Sequence, residues 1–198
     1  MNQIIKFGKP LLFVTCLVPL IWLLYLAVSG NLGANPIETI THFTGDWTLY
    51  FLLATLTLTP LRRLTGINSL IRFRRMLGLY AFFYACLHFM TYLVLDQFFD
   101  WDEILRDIAK RPYITAGFSA WLLLIPLALT STRNMVRRLG KHWKKLHSLV
   151  YVITALGLLH YLWLVKADIR TPVLLSLLYI TLLALRMPRF QQLKNKQL

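Results

Sequence analysis

Acidic residues are scarce in this chain of 198 residues: eight Asp and Glu stand against 22 Lys and Arg, and charged residues make up only 15% of the total. Cysteine is scarcer still. Cys16 and Cys86 are the two present, in no CxxC or CxxCH pattern, which excludes a zinc ribbon and a covalently attached c-type heme. There is no GxGxxG and no phosphate-binding P-loop, so the familiar nucleotide fingerprints are absent. Internal repeats, low-complexity tracts and linkers are not evident. No stretch between apolar blocks exceeds roughly 20 residues, so the chain reads as one domain over 1–198, with no room for a soluble catalytic unit.

Apolar residues are abundant, at 57%, more than a soluble domain of this size needs. They fall in six blocks, about 11–28, 46–61, 76–95, 113–130, 146–165 and 172–186. Crossing a hydrocarbon core takes about 20 helical residues, and lipid leaves no partner for unpaired backbone groups. The expected fold is therefore an all-α membrane protein, a bundle of six transmembrane helices. The first block, LLFVTCLVPLIWLLYLAV, follows Lys6 and Lys9. It is too long for a typical signal-peptide core and reads as a retained span.

Charge gives the orientation. With the N-terminus inside, seventeen of the 22 basic residues fall on inner segments: two before residue 11, five between 62 and 75, six between 131 and 145, four from 186 onward. All eight acidic residues then lie outside or at the outer membrane edge. This is the positive-inside pattern, with both termini cytoplasmic. The net charge of +14 is thus a topology signal, with anionic lipid or a cofactor phosphate as secondary partners, and a nucleic-acid role is excluded.

Ionisable residues within spans are the first place to look for function. His88 lies 13 residues past Arg75 in the third block, and His160 lies 15 past Lys145 in the fifth. At about 1.5 Å per residue these are roughly 20 and 22 Å from the inner edge. Two imidazoles at one depth on parallel helices suit bis-histidine ligation of a heme iron. Zinc, which wants four tetrahedral ligands, suits the place less well. A second reading keeps both as buried histidines hydrogen-bonded across helices. His147 is about 220° around its helix from His160 and cannot share its site. The matching inner position on the third block is near Arg74, within about 40° of the His88 face. His147 reads equally as an interfacial histidine, and Arg74 as a partner for a propionate or flavin phosphate. His142 and His42 read as surface histidines, with His42 in an outer loop beside a possible quinol entrance.

The segments LTPLRR, RRMLGLYAFFYACLH, LGKHWKKLHSLVY and LLHYLWLVK resemble those of the heme-binding membrane subunit of the protein-methionine-sulfoxide reductase system, the MsrQ (YedZ) family. LGANPIETITHFTG and RPYITAGFSAWLLLIPLALTST fit the same family. It belongs to a wider group with a ferric-reductase-like transmembrane domain that includes the NADPH oxidases. The resemblance implies a b-type heme protein of the bacterial inner membrane, with one or two hemes and an associated FMN. It implies electrons entering from the quinone pool or a flavin reductase and leaving to a periplasmic molybdopterin-containing methionine sulfoxide reductase that repairs oxidised proteins. By position, His88 and His160 would be axial ligands of the outer heme, and His147 would serve a second, inner one. Arg74, Arg75 and Lys144 are the nearby basic residues for propionate or flavin phosphate contacts. The wider group has two histidines on each helix, and the third block here keeps one.

The oxidases also carry a fused FAD/NADPH domain, whereas about a dozen residues follow Arg186. The expectation is a non-catalytic electron-transfer subunit whose donor and catalyst are separate proteins. Its docking face would be the outer loops around 29–45, 96–112 and 166–171. The rivals are a small transporter, a cofactor-free assembly subunit, and a heme module of the same fold that serves another acceptor such as ferric iron.

Overall fold

The computed structural model describes residues 3–165 and 168–186, whose regular structure is all helical, with no strand among them. Of the basic residues expected on the inner side, Arg189, Lys194 and Lys196 lie outside the described residues. The helices are α1 (Gln3–Val28), α2 (Pro36–Thr65), α3 (Arg74–Met90), α4 (Trp101–Lys110), α5 (Pro112–Leu129), α6 (Arg133–Leu139), α7 (Lys141–His147), α8 (Leu149–Leu164) and α9 (Arg170–Ala184). A 3₁₀ turn over Asn68–Phe73 leads into α3, and a π-helical segment over Thr91–Asp96 leaves it.

Four stretches are long and apolar enough to cross a membrane: Lys6–Val28, Asn68–Asp96, Pro112–Leu129 and Lys141–Leu164. α9 is apolar but shorter, and α2 is the most polar of the long helices. α2 nevertheless runs well beyond the apolar block 46–61. Pro36 sits in its first turn, and the Asn35 side chain accepts a hydrogen bond from the Glu38 amide (3.3 Å) while donating to the Glu38 carboxylate (2.9 Å). That reciprocal cap starts the helix ten residues early. Its threonines stay helical because their hydroxyls donate to carbonyls one turn back, as Thr41 does to Ile37 (2.8 Å) and Thr48 to Thr44 (2.9 Å). Gly66, at φ 71°, closes the helix in the left-handed conformation. His42, expected in a loop, is therefore a helical residue.

Two antiparallel pairs make the centre: α2 against α3, and α5 against α8. Contacts of α3 with α5 and of α2 with α8 join them, while α1 and α9 pack on the outside. Leu49, Leu52, Leu53 and Leu56 of α2 fall on one helical face and are buried against Leu77, Ala81 and Tyr84 of α3 and Ile153 of α8. The turn from the π segment into α4 forces Phe98 and Phe99 to φ 47° and 63°, a rare pair of left-handed bulky residues. Asp100 then caps α4 by accepting from the Glu103 amide (3.1 Å).

Candidate functional site: two histidines seated on facing helix pairs

The two central pairs enclose a cavity of about 270 Å³, lined mostly by apolar side chains of α2, α3, α5 and α8. His88 from α3 and His160 from α8 both reach it, with ring centroids 6.0 Å apart and ring planes 77° apart. Each imidazole is fixed by the other helix of its own pair. His88 Nδ1 lies 2.9 Å from the Thr41 carbonyl, and His160 Nδ1 lies 2.6 Å from the Tyr113 carbonyl. A carbonyl only accepts, so Nδ1 carries the proton in both rings and Nε2 keeps its lone pair. This is the arrangement by which proteins orient a neutral imidazole as a metal ligand.

A glycine stands one turn after each acceptor. A Cβ at Gly45 would lie 3.1 Å from the His88 ring, and one at Gly117 only 2.9 Å from His160 Nδ1. The reason is geometric: Cβ bonds tilt toward the helix N-terminus, so a side chain at position i+4 overhangs the carbonyl of residue i. Only glycine leaves that carbonyl open to a ring from the neighbouring helix. The two half-sites match at a constant offset of 72 residues (41 to 113, 45 to 117, 88 to 160), with carbonyl and histidine 47 apart in each. The sequence reading found no internal repeat. The signal was this spacing of single residues, too sparse to register as similarity.

His42 and Asp46 of α2, with Asp96, Arg111 and Tyr113, stand at the acidic end of the cavity. His42 lies 3.9 Å from Glu38 and is partly exposed. Asp107 of α4 is buried, ion-paired to Arg111 (2.9 Å), and accepts from the Tyr92 hydroxyl (3.2 Å). The sequence placed His42 beside a possible quinol entrance and 96–112 in an outer docking loop; the helix α4 within that segment and the buried Asp107 were not legible in it.

His147 lies apart from the cavity. Its Nε2 is 2.9 Å from the Thr130 hydroxyl, and its ring stacks on Trp143 at 4.0 Å, while Trp143 Nε1 donates to the Thr130 carbonyl (3.0 Å). Arg74 is half-buried within electrostatic reach of His147 and of Arg186, which bonds to the Tyr151 hydroxyl and the Leu56 carbonyl. By the 72-residue offset the true counterpart of His147 is Arg75, not Arg74. Arg75 is exposed and lines a groove between α1 and α3 instead. Lys144 is exposed on α7 and does not line the histidine cavity. The remaining histidine, His142, is exposed too, so no second imidazole faces His147. Among the described residues no group of three or more His, Cys, Asp or Glu side chains could hold a metal ion.

Comparison with known proteins agrees with this architecture. The family described as the ferric reductase like transmembrane component matches residues 44–158, which include Gly45, His88, Tyr113 and Gly117 and stop just short of Thr41 and His160. The chain is 58% identical over 181 residues to the protein-methionine-sulfoxide reductase heme-binding subunit MsrQ of Herminiimonas arsenicoxydans, covering 90% of this chain and 83% of that protein. It is 54% identical to the protein of the same name from Rhodospirillum rubrum, covering 92% and 88%. The relative of that name from Xanthomonas euvesicatoria is also 54% identical, with 83% and 76% covered. No solved structure matches the chain. The chain is a membrane protein and belongs to the MsrQ family, within the proteins that carry a ferric-reductase-like transmembrane component.

Proposed function

We propose that this chain is the b-type heme subunit of a methionine sulfoxide reductase system, in which His88 and His160 would together hold the iron of one heme. The observation that carries the reading is the pair of imidazoles 6.0 Å apart, each with Nδ1 tied to a backbone carbonyl. Two neutral imidazoles so close, each with its Nε2 lone pair free for a metal, would hold a heme iron between them. The apolar lining suits a porphyrin face, and the open Nε2 positions suit its iron. Bound there, the heme supplies one-electron transfer.

The protein's part is to hold, insulate and present. The Thr41 and Tyr113 carbonyls orient the rings, Gly45 and Gly117 clear their seats, and the leucines of α2 exclude water. In our reading the reduction of methionine sulfoxide belongs to a partner. That partner, in our reading a periplasmic molybdopterin-containing catalytic subunit, docks at the acidic end, where Asp100, Asp102 and Glu103 steer a basic surface. Electrons reach the heme from the quinone pool or a flavin reductase. Arg74, beside His147, is the cation we assign to a propionate or to the phosphate of FMN. His147, bonded to Thr130 and facing no second imidazole, makes one heme the favoured count. The setting is the bacterial inner membrane, spanned six times with both termini cytoplasmic.

The test is a reduced-minus-oxidised spectrum with heme quantitation on purified wild type, His88→Ala, His160→Ala and His147→Ala. The expected result is a low-spin b-type spectrum, one heme per chain, lost in the first two variants and retained in His147→Ala. Wild type expressed with ample heme yet carrying none would overturn the reading. Two hemes per chain, one of them lost in His147→Ala, would restore the inner site.

A further inference from the structure

Between α1 and α3, at the end rich in Lys and Arg, lies a second cavity of about 540 Å³. Its floor is apolar, built from Phe13 and Leu17 of α1 and Met76, Leu79, Tyr80 and Phe83 of α3. The Tyr80 hydroxyl is already taken by the Phe13 carbonyl (3.0 Å), so its ring face is what the groove offers. The rim is cationic: Lys9, Arg72 and Arg75, all exposed. None of the three has a carboxylate within ion-pair distance among the described residues. None could find one nearby in sequence either, since no Asp or Glu precedes residue 38 or falls between 46 and 96. From Arg75 to Phe83 the floor descends eight residues, about 12 Å into the bilayer.

We propose that this groove binds one anionic phospholipid of the inner leaflet, its phosphate held by Lys9, Arg72 and Arg75 and an acyl chain laid along Phe13, Leu79 and Phe83. The shape decides the occupant. A cationic rim above a greasy, lipid-facing wall is complementary to a molecule with an anionic head and an apolar tail, and to little else. A second copy of the chain would bring three more cations against these three. An acidic soluble protein could meet the rim but not a floor that lies within the bilayer. The site is separate from the histidine cavity and does not depend on heme.

The test uses the full chain in phosphatidylcholine nanodiscs, with and without phosphatidylglycerol, reading thermal unfolding and co-purified lipid by mass spectrometry. Wild type is expected to unfold at higher temperature with phosphatidylglycerol, because ligand binding to the native state stabilises it, and to retain that lipid after detergent washing. Each neutralised cation should weaken binding about fivefold, and the triple variant Lys9→Gln/Arg72→Gln/Arg75→Gln about 100-fold. Leu79→Trp, which fills the groove and keeps the charges, should also lose the lipid. Equal stabilisation of wild type by phosphatidylcholine alone would overturn the proposal without recourse to any variant. So would full retention of phosphatidylglycerol by Leu79→Trp, which would reduce the effect to surface charge, or displacement of the lipid by free FMN.

Discussion

Glycine inside a helix costs about 1 kcal/mol relative to alanine, yet Gly45 and Gly117 sit mid-helix in α2 and α5, where nothing but a ring from the next helix needs the space. The closer contact is at Gly117, where an added Cβ would stand 2.9 Å from His160 Nδ1, against 3.1 Å for the His88 ring at Gly45. Gly117→Ala should therefore push His160 off the Tyr113 carbonyl, whereas Gly45→Ala needs a displacement of only a few tenths of an ångström. The expected outcome is a large fall in heme content for Gly117→Ala, with a smaller one for Gly45→Ala, while helical content in circular dichroism is unchanged. Equal, full heme loading in both would show that the ring seats are not confining. The histidines themselves were legible in the sequence because depth along parallel helices can be counted from a charged edge. Their carbonyls and glycines were not, since each belongs to a different helix from the ring it serves.

At the level of elements, α1 is attached to the centre through tyrosines. The Tyr84 hydroxyl accepts from the Leu20 amide and donates to the Cys16 carbonyl, each at 3.0 Å. Those two groups are an i, i−4 pair of α1, beside Pro19, so the hydroxyl adds a partner to each where a proline already weakens the helix ladder. Tyr84→Phe leaves both without that partner in an apolar setting, and should destabilise the α1–α3 contact by about 1–2 kcal/mol. Unfolding in mixed detergent micelles measures it, with Tyr80→Phe as a milder comparison because only the Phe13 carbonyl loses a donor. The junction of α4 and α5 depends on Asp107 in the same way. Asp107→Ala would strand the Tyr92 hydroxyl and release Arg111, costing about 1–3 kcal/mol. Proteolysis within 96–112 should rise in that variant. Hydropathy located most helices well but shortened α2, because PIETITHFTGDW looks like a polar loop. What makes it helical is a set of threonine hydroxyls folded back on their own carbonyls, and no transfer scale registers that.

Across the whole molecule the two ends differ in charge as sharply as the middle differs from water. Carboxylates gather around 96–107, beside the mouth of the histidine cavity, and cations gather around 62–75 and 133–145. In a bilayer this asymmetry orients the chain, since segments dense in Lys and Arg resist translocation. In our reading electrons leave toward the acidic end, because the histidine cavity lies off-centre, toward that end. Reporter fusions test the arrangement. Alkaline phosphatase joined after Asn31 or Asp100 should be active, and after Gly66 or Gly140 inactive, while a C-terminal fluorescent protein should fold and fluoresce. Phosphatase activity after Gly66 or Gly140 would invert the topology. The histidine pair would then lie near the cytoplasmic surface, and a periplasmic partner docking at the acidic end would be ruled out.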